Sequence, residues 1–168
     1  MLHDAIIILL FPALMAFAAS SDLLTMTISN RVSLALVAGF FLMAFLAGTR
    51  LADIASHAGA ATIVLVGGFV CFSRGWMGGG DAKLAAATVL WLGFEHTLTY
   101  LVWASLLGGA LTYLILKFRL APLPQMLAGQ PWAERLHRVD AGVPYGIALA
   151  AAALLVYPDT SFMRAAGL

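Results

Sequence analysis

From Leu98 to Leu116 the chain carries no charged side chain, and apolar runs of similar character recur along most of its 168 residues. Such a run constrains the fold strongly. About 20 apolar residues make a helix long enough to cross the hydrocarbon of a bilayer, and in lipid only a helix or a closed barrel satisfies its own backbone. The other runs are Ala5 to Ala19, with Pro12 inside it and Ser20-Ser21-Asp22 after it, then Val32 to Gly48, Ala58 to Phe72, Leu84 to Phe94 and Val143 to Tyr157. The run from Leu84 is short, so Asp81 and Lys83 must extend it, and Glu95-His96 reads as a tight turn after it. With 62% hydrophobic residues, 10% charged and a mean hydropathy of +0.97, the chain is more apolar than a soluble domain of this size can hide. The expected fold is an all-α polytopic membrane protein with six transmembrane helices, forming one domain over residues 1–168. Met1-Leu2-His3-Asp4 offers no positive n-region, so the first run is expected to be retained as a span and not removed as a signal peptide.

Lys and Arg set the expected orientation, because cytoplasmic connections are enriched in them. Six spans put Arg31, Arg74, Lys83, Lys117, Arg119, Arg135 and Arg138 on one side, with Arg50 and Arg164 on the other. The N-terminus and C-terminus are therefore predicted outside, and Asp22, Asp81 and the connection from Lys117 to Gly142 face the cytoplasm. Within that connection, Trp132, Leu136 and Val139 recur at helical spacing among charges, which predicts a short helix in the membrane interface. The net charge of +1 gives no footprint for nucleic acid.

Two carboxylates stand out. Asp22 ends the first run, and Asp81 follows Gly78-Gly79-Gly80 before Lys83-Leu84. Glycines permit positive φ and close approach, so these three are expected to interrupt the helices and open the backbone beside Asp81. Two carboxyl groups brought together at one membrane face would share a proton, and such a pair activates water: the carboxylate removes its proton while the acid polarises a peptide carbonyl. Lys83 would add positive potential. Each aspartate also admits a plainer role. Asp22, near Thr25, Thr27, Ser29 and Asn30, fits a turn or helix cap, and Asp81 fits an N-cap with Lys83 reaching the interface. A membrane-depth Asp and Lys also fit a small proton- or ion-coupled transporter. His3, His57, His96 and His137 lack ligand spacing, so no metal or other cofactor is expected. Cys71 and Trp76, Trp91 and Trp103 read as packing or boundary residues, and Gly108-Gly109 as a place where a neighbouring helix comes close.

These residues resemble the type IV prepilin peptidases, membrane aspartyl proteases of the GxGD class. The family's Gly-x-Gly-Asp-x-Lys-Leu motif is met by Gly78, Gly80, Asp81, Lys83 and Leu84, and its aspartate followed by Ile-Pro-Asn is matched by Asp22 with Ile28-Ser29-Asn30, where Ser29 replaces the proline. Val143-Pro144-Tyr145-Gly146 is similar to the family's Pro-aromatic-Gly opening of a late helix. The resemblance implies a peptidase that removes the leader of prepilins at the cytoplasmic face of a bacterial inner membrane, with Asp22 and Asp81 as the catalytic pair. Gly78, Gly80, Lys83, Asn30 and Pro144 would support the substrate site. Larger members carry a cysteine-bearing cytoplasmic region that binds zinc and N-methylates the product. This chain has a single cysteine, so the resemblance implies cleavage without methylation, and its size is similar to members serving Flp/Tad-type pili. Archaeal preflagellin peptidases are related, and a structural subunit of a pilus or secretion system that kept the motif without activity is a further reading.

Overall fold

The computed structural model describes residues 2–165, and among them every regular element is a helix. The order is α1 (Leu2–Thr25), α2 (Asn30–Leu46), α3 (Leu51–Ser73), α4 (Gly79–Leu120), α5 (Pro131–His137), α6 (Gly146–Val156), a 3-10 turn (Tyr157–Asp159) and α7 (Ser161–Ala165). Of these, α3 and α4 are long and apolar enough to cross a membrane, and α1, α2 and α6 contribute shorter apolar helices.

The architecture turns on Gly93. Inside α4 this residue has φ 69° and ψ −179°, a region that is essentially closed to any residue with a Cβ. Beyond it the chain folds back. Tyr145 lines a cleft together with Asp81 and also donates a hydrogen bond to the carbonyl of Ala104 at 3.3 Å, although a straight helix would separate 81 from 104 by about 35 Å. The break leaves the Leu90 carbonyl without its helical partner, and His57 Nδ1 donates to it at 2.8 Å. The reversal thus comes before Glu95-His96 and not at it: the expected turn is replaced by a glycine kink, and Glu95 and His96 belong to the returning half of α4.

The first half of α4 is the centre of the molecule. Leu84 to Gly93 is buried on every side, packed by α2, α3 and α6. Trp91 anchors it: its indole donates to the Leu36 carbonyl at 2.9 Å, and its ring meets Phe11 at 5.3 Å and Phe162 at 5.6 Å. A short helix that is apolar all round suits a position enclosed by other helices. Outer surfaces are apolar as well, with Phe45, Ile63, Phe69, Leu98 and Leu106 all at least 60% exposed. Gly108 takes the Tyr145 ring, which lies where a Cβ would stand, while Gly109 meets open space.

The connection from α4 to α6 is tied down by arginines. Arg119 donates to the carbonyls of Leu136, Ala141 and Gly142 at 2.9, 2.9 and 2.7 Å, and Arg135 donates to Leu24 O at the end of α1 at 2.7 Å. The hydrogen-bonded Arg138 guanidinium beside Asp140 holds that carboxyl below its ordinary range. The expected interfacial helix is present as α5 but ends at His137, leaving Val139 outside it and 84% exposed.

Candidate active site

Three helix ends meet at the other end of α4 from Gly93: the C-terminus of α1 and the N-termini of α4 and α6. Asp22 lies in the last turn of α1, where a negative charge opposes the helix dipole. It is nevertheless only 4% exposed. Its partner lies far away in sequence, since the amide of Gly146, the first residue of α6, donates to Asp22 Oδ2 at 2.7 Å. Asp22 therefore occupies an orphan donor of another helix and keeps its second oxygen free of that bond. Here too a side chain has been excluded. A Cβ at Gly146 would lie 2.8 Å from Asp22 Oδ2.

Asp81 is the third residue of α4, and the N-cap is Gly78. The plain N-cap role is thus taken by another residue. The Asp81 carboxyl folds back toward Gly78 and its amide, as acidic residues at this position do. The glycines before it keep negative or ordinary helical backbone: none of Gly78, Gly79 and Gly80 has positive φ. Their use is steric. Cβ atoms there would stand 2.8 Å from Asp81 Oδ2, 3.3 Å from Phe72 Cε2 and 3.1 Å from Ile28 Cβ, respectively. The cleft residues that do take positive φ are Met26, at 54°, where α1 ends and the chain turns back, and Gly75, at 73°, between α3 and α4. Thr25 and Ser21 brace this turn, with the hydroxyl of Ser21 donating to Thr27 O at 3.1 Å and that of Thr25 to Ser21 O at 2.7 Å.

Asp22 and Asp81 line one cleft of about 670 Å³, with Met26, Cys71, Trp76, Gly78 and Tyr145 among its walls. A second hollow of about 270 Å³ between Thr27, Ile28 and Gly78 to Gly80 also reaches both carboxyl groups. Asn30 and Lys83 stand apart from both. Two residues on from Asp81, Lys83 points to a different face of α4, where its ammonium donates to Asn30 Oδ1 at 2.9 Å. Ser29 caps α2 at φ −65°, the value a proline would impose, and its hydroxyl accepts from the Arg31 amide at 3.3 Å. Pro144 is buried just ahead of Gly146.

Sequence reasoning left most of the cleft's wall unnamed. Cys71, expected to be packing, is partly exposed on its wall as a free thiol. Trp76, expected at a boundary, is 72% exposed there under the Arg74 guanidinium. The Gly146 amide has no sequence signature, being backbone. Among the described residues, no cluster of three His, Cys, Asp or Glu side chains could hold a metal ion.

Fold and cleft together define a helical, apolar protein with two carboxyl groups opening into one cavity between helix ends. Its family follows from comparison of the sequence: the model of the type IV leader peptidase family matches residues 9–113. The chain belongs to that family, whose members are membrane peptidases, and the matched segment contains both aspartates. Neither the curated proteins nor the solved structures yield a significant match.

Proposed function

We propose that this protein is a membrane-embedded aspartic endopeptidase that removes the leader peptide from prepilins of the Flp/Tad type at the cytoplasmic face of a bacterial inner membrane. One integral-membrane domain over residues 1–168 would do this, crossing the bilayer six times through α1, α2, α3, the two halves of α4, and α6, with both termini outside. The Lys and Arg bias supports that orientation, and the apolar outer faces of α2, α3 and α4 suit lipid contact.

The observation that carries the reading is the shared cleft of Asp22 and Asp81. Two carboxyl groups in one partly enclosed space hold a proton between them. A water between them loses a proton to the carboxylate as it attacks the scissile carbonyl, while the acid gives its proton to the carbonyl oxygen; as the resulting gem-diol collapses, the carboxyl that took the water's proton passes it to the leaving nitrogen and the other carboxylate takes one back from a gem-diol hydroxyl. Gly146 fixes one oxygen of Asp22, which leaves the other for water. The cleft beside Asp81 leaves room for an extended peptide, and Trp76 and Met77 offer apolar contacts for the start of the substrate's hydrophobic helix. Catalysis of this kind needs no cofactor.

The test is cleavage by the chain reconstituted in lipid vesicles with a prepilin. Expected is a product starting just before the hydrophobic segment, with an unmodified α-amino group by mass. Proton or ion flux without cleavage would make it a transporter, and binding of pilus components without either activity would make it a structural subunit.

A further inference from the structure

A second groove, on a different face of α4 from the cleft, lies between α2, α3 and α4. Its volume is about 410 Å³. Val37, Leu65 and Leu90 give it apolar walls, with Ala61 contributing little bulk, and its lining is polar chiefly at one end, where Lys83 meets Asn30. From Lys83 to Leu90 it runs about 10 Å along α4.

We propose that this groove binds one acyl chain of an anionic phospholipid, with the lipid phosphate on Lys83. Shape decides between kinds of apolar occupant: a helix with its side chains is about 10–12 Å across, too wide for a groove of this volume, whereas an extended hydrocarbon chain is slender. Charge decides the head group. Lys83 is exposed, donates to a neutral amide and, among the described residues, forms no ion pair with a carboxylate, so its ammonium has no carboxylate counter-ion there and offers two further donor hydrogens. Arg31 follows Asn30 in the first turn of α2, and both are exposed. The groove also opens outward, since Leu34 and Leu65 on its rim are 66% and 44% exposed. A slender apolar slot ending in a cation at the expected lipid head-group level matches an anionic phospholipid. The inference rests on the membrane placement and not on the chemistry of the aspartates.

The test is native mass spectrometry of the full chain in detergent, titrated with phosphatidylglycerol or with phosphatidylcholine of the same acyl chains. Expected is one saturable phosphatidylglycerol per chain, bound about fivefold more tightly than phosphatidylcholine. Lys83→Gln should remove that preference, and Ala61→Phe should remove saturable binding of both lipids while circular dichroism keeps its helical signal. Should Ala61→Phe fail to fold, Leu34→Trp narrows the same groove from an exposed position. Equal affinity for the two lipids, a preference that survives Lys83→Gln, or lipid binding that survives filling of the groove would overturn the proposal. So would full competition by glycerol 3-phosphate alone, or displacement of lipid by a hydrophobic helical peptide.

Discussion

The two ends of the central helix use the same materials for opposite purposes. At the Gly93 end, a cavity of about 430 Å³ contains Asp53, His57, Glu95 and His96, a set as rich in ionisable groups as the cleft at the other end. Most of those groups serve local structure. His57 satisfies the carbonyl freed by the kink, Arg50 holds both oxygens of Asp53 at 2.8 and 3.0 Å, and Arg164 reaches Glu95 at 3.4 Å. At the cleft, no arginine or lysine side chain bonds Asp22 or Asp81 among the described residues, and backbone amides hold them instead. Glycine differs in the same way. Gly93 makes a backbone shape available, whereas Gly78 and Gly146 leave space around carboxyl oxygens. Ionisable residues alone do not mark a site; carboxyl groups without a counter-ion, facing a cavity, do.

Breaking each end should therefore give different losses. The largest contrast lies in the carboxylates: Asp81→Asn should lower cleavage by about 10³-fold or more, while Asp53→Asn, which removes an exposed ion pair, should leave the rate within about twofold. Both are measured with one prepilin in one vesicle preparation. Among the glycines, Gly146→Ala should displace the Asp22 carboxyl and cost about 10²-fold in rate with the helical fold retained. Gly93→Ala, by contrast, should cost about 3 kcal/mol of stability from backbone strain and contact with His57, read as a fall in thermal midpoint. A smaller effect is expected at Arg119→Met, which frees the loop ending at Gly142. Faster amide exchange over residues 136–142 should accompany about tenfold slower cleavage. The smallest concerns Cys71: Cys71→Ala should cleave within about twofold of the parent, yet a bulky maleimide on the native thiol should block cleavage by filling the cleft.

Much of this was legible in the sequence, for identifiable reasons. Apolar runs broken by a few charges give helix positions because lipid-like surroundings tolerate few alternatives, and Asp22 and Asp81 stood out as carboxylates placed at one face by the expected topology. The reversal at Gly93 was not legible. Glycine is common in membrane helices, so its special conformation left no mark, and the charged Glu95-His96 pair drew the turn to itself. Lys83 could have been placed better, because residues two apart on a helix face different ways, and its separation from Asp81 follows from that alone. The bond from Gly146 to Asp22 was out of reach, since every non-proline residue carries the same amide.

The central claim is that Asp22 and Asp81 act as one catalytic unit, and a double-variant comparison tests it most directly. Cleavage rates of Asp22→Asn, Asp81→Asn and the chain carrying both changes should fall to the same residual level, because removing either member of a unit removes its chemistry. A single variant that keeps more than about a tenth of the parent rate, or losses that multiply in the double variant, would contradict the account.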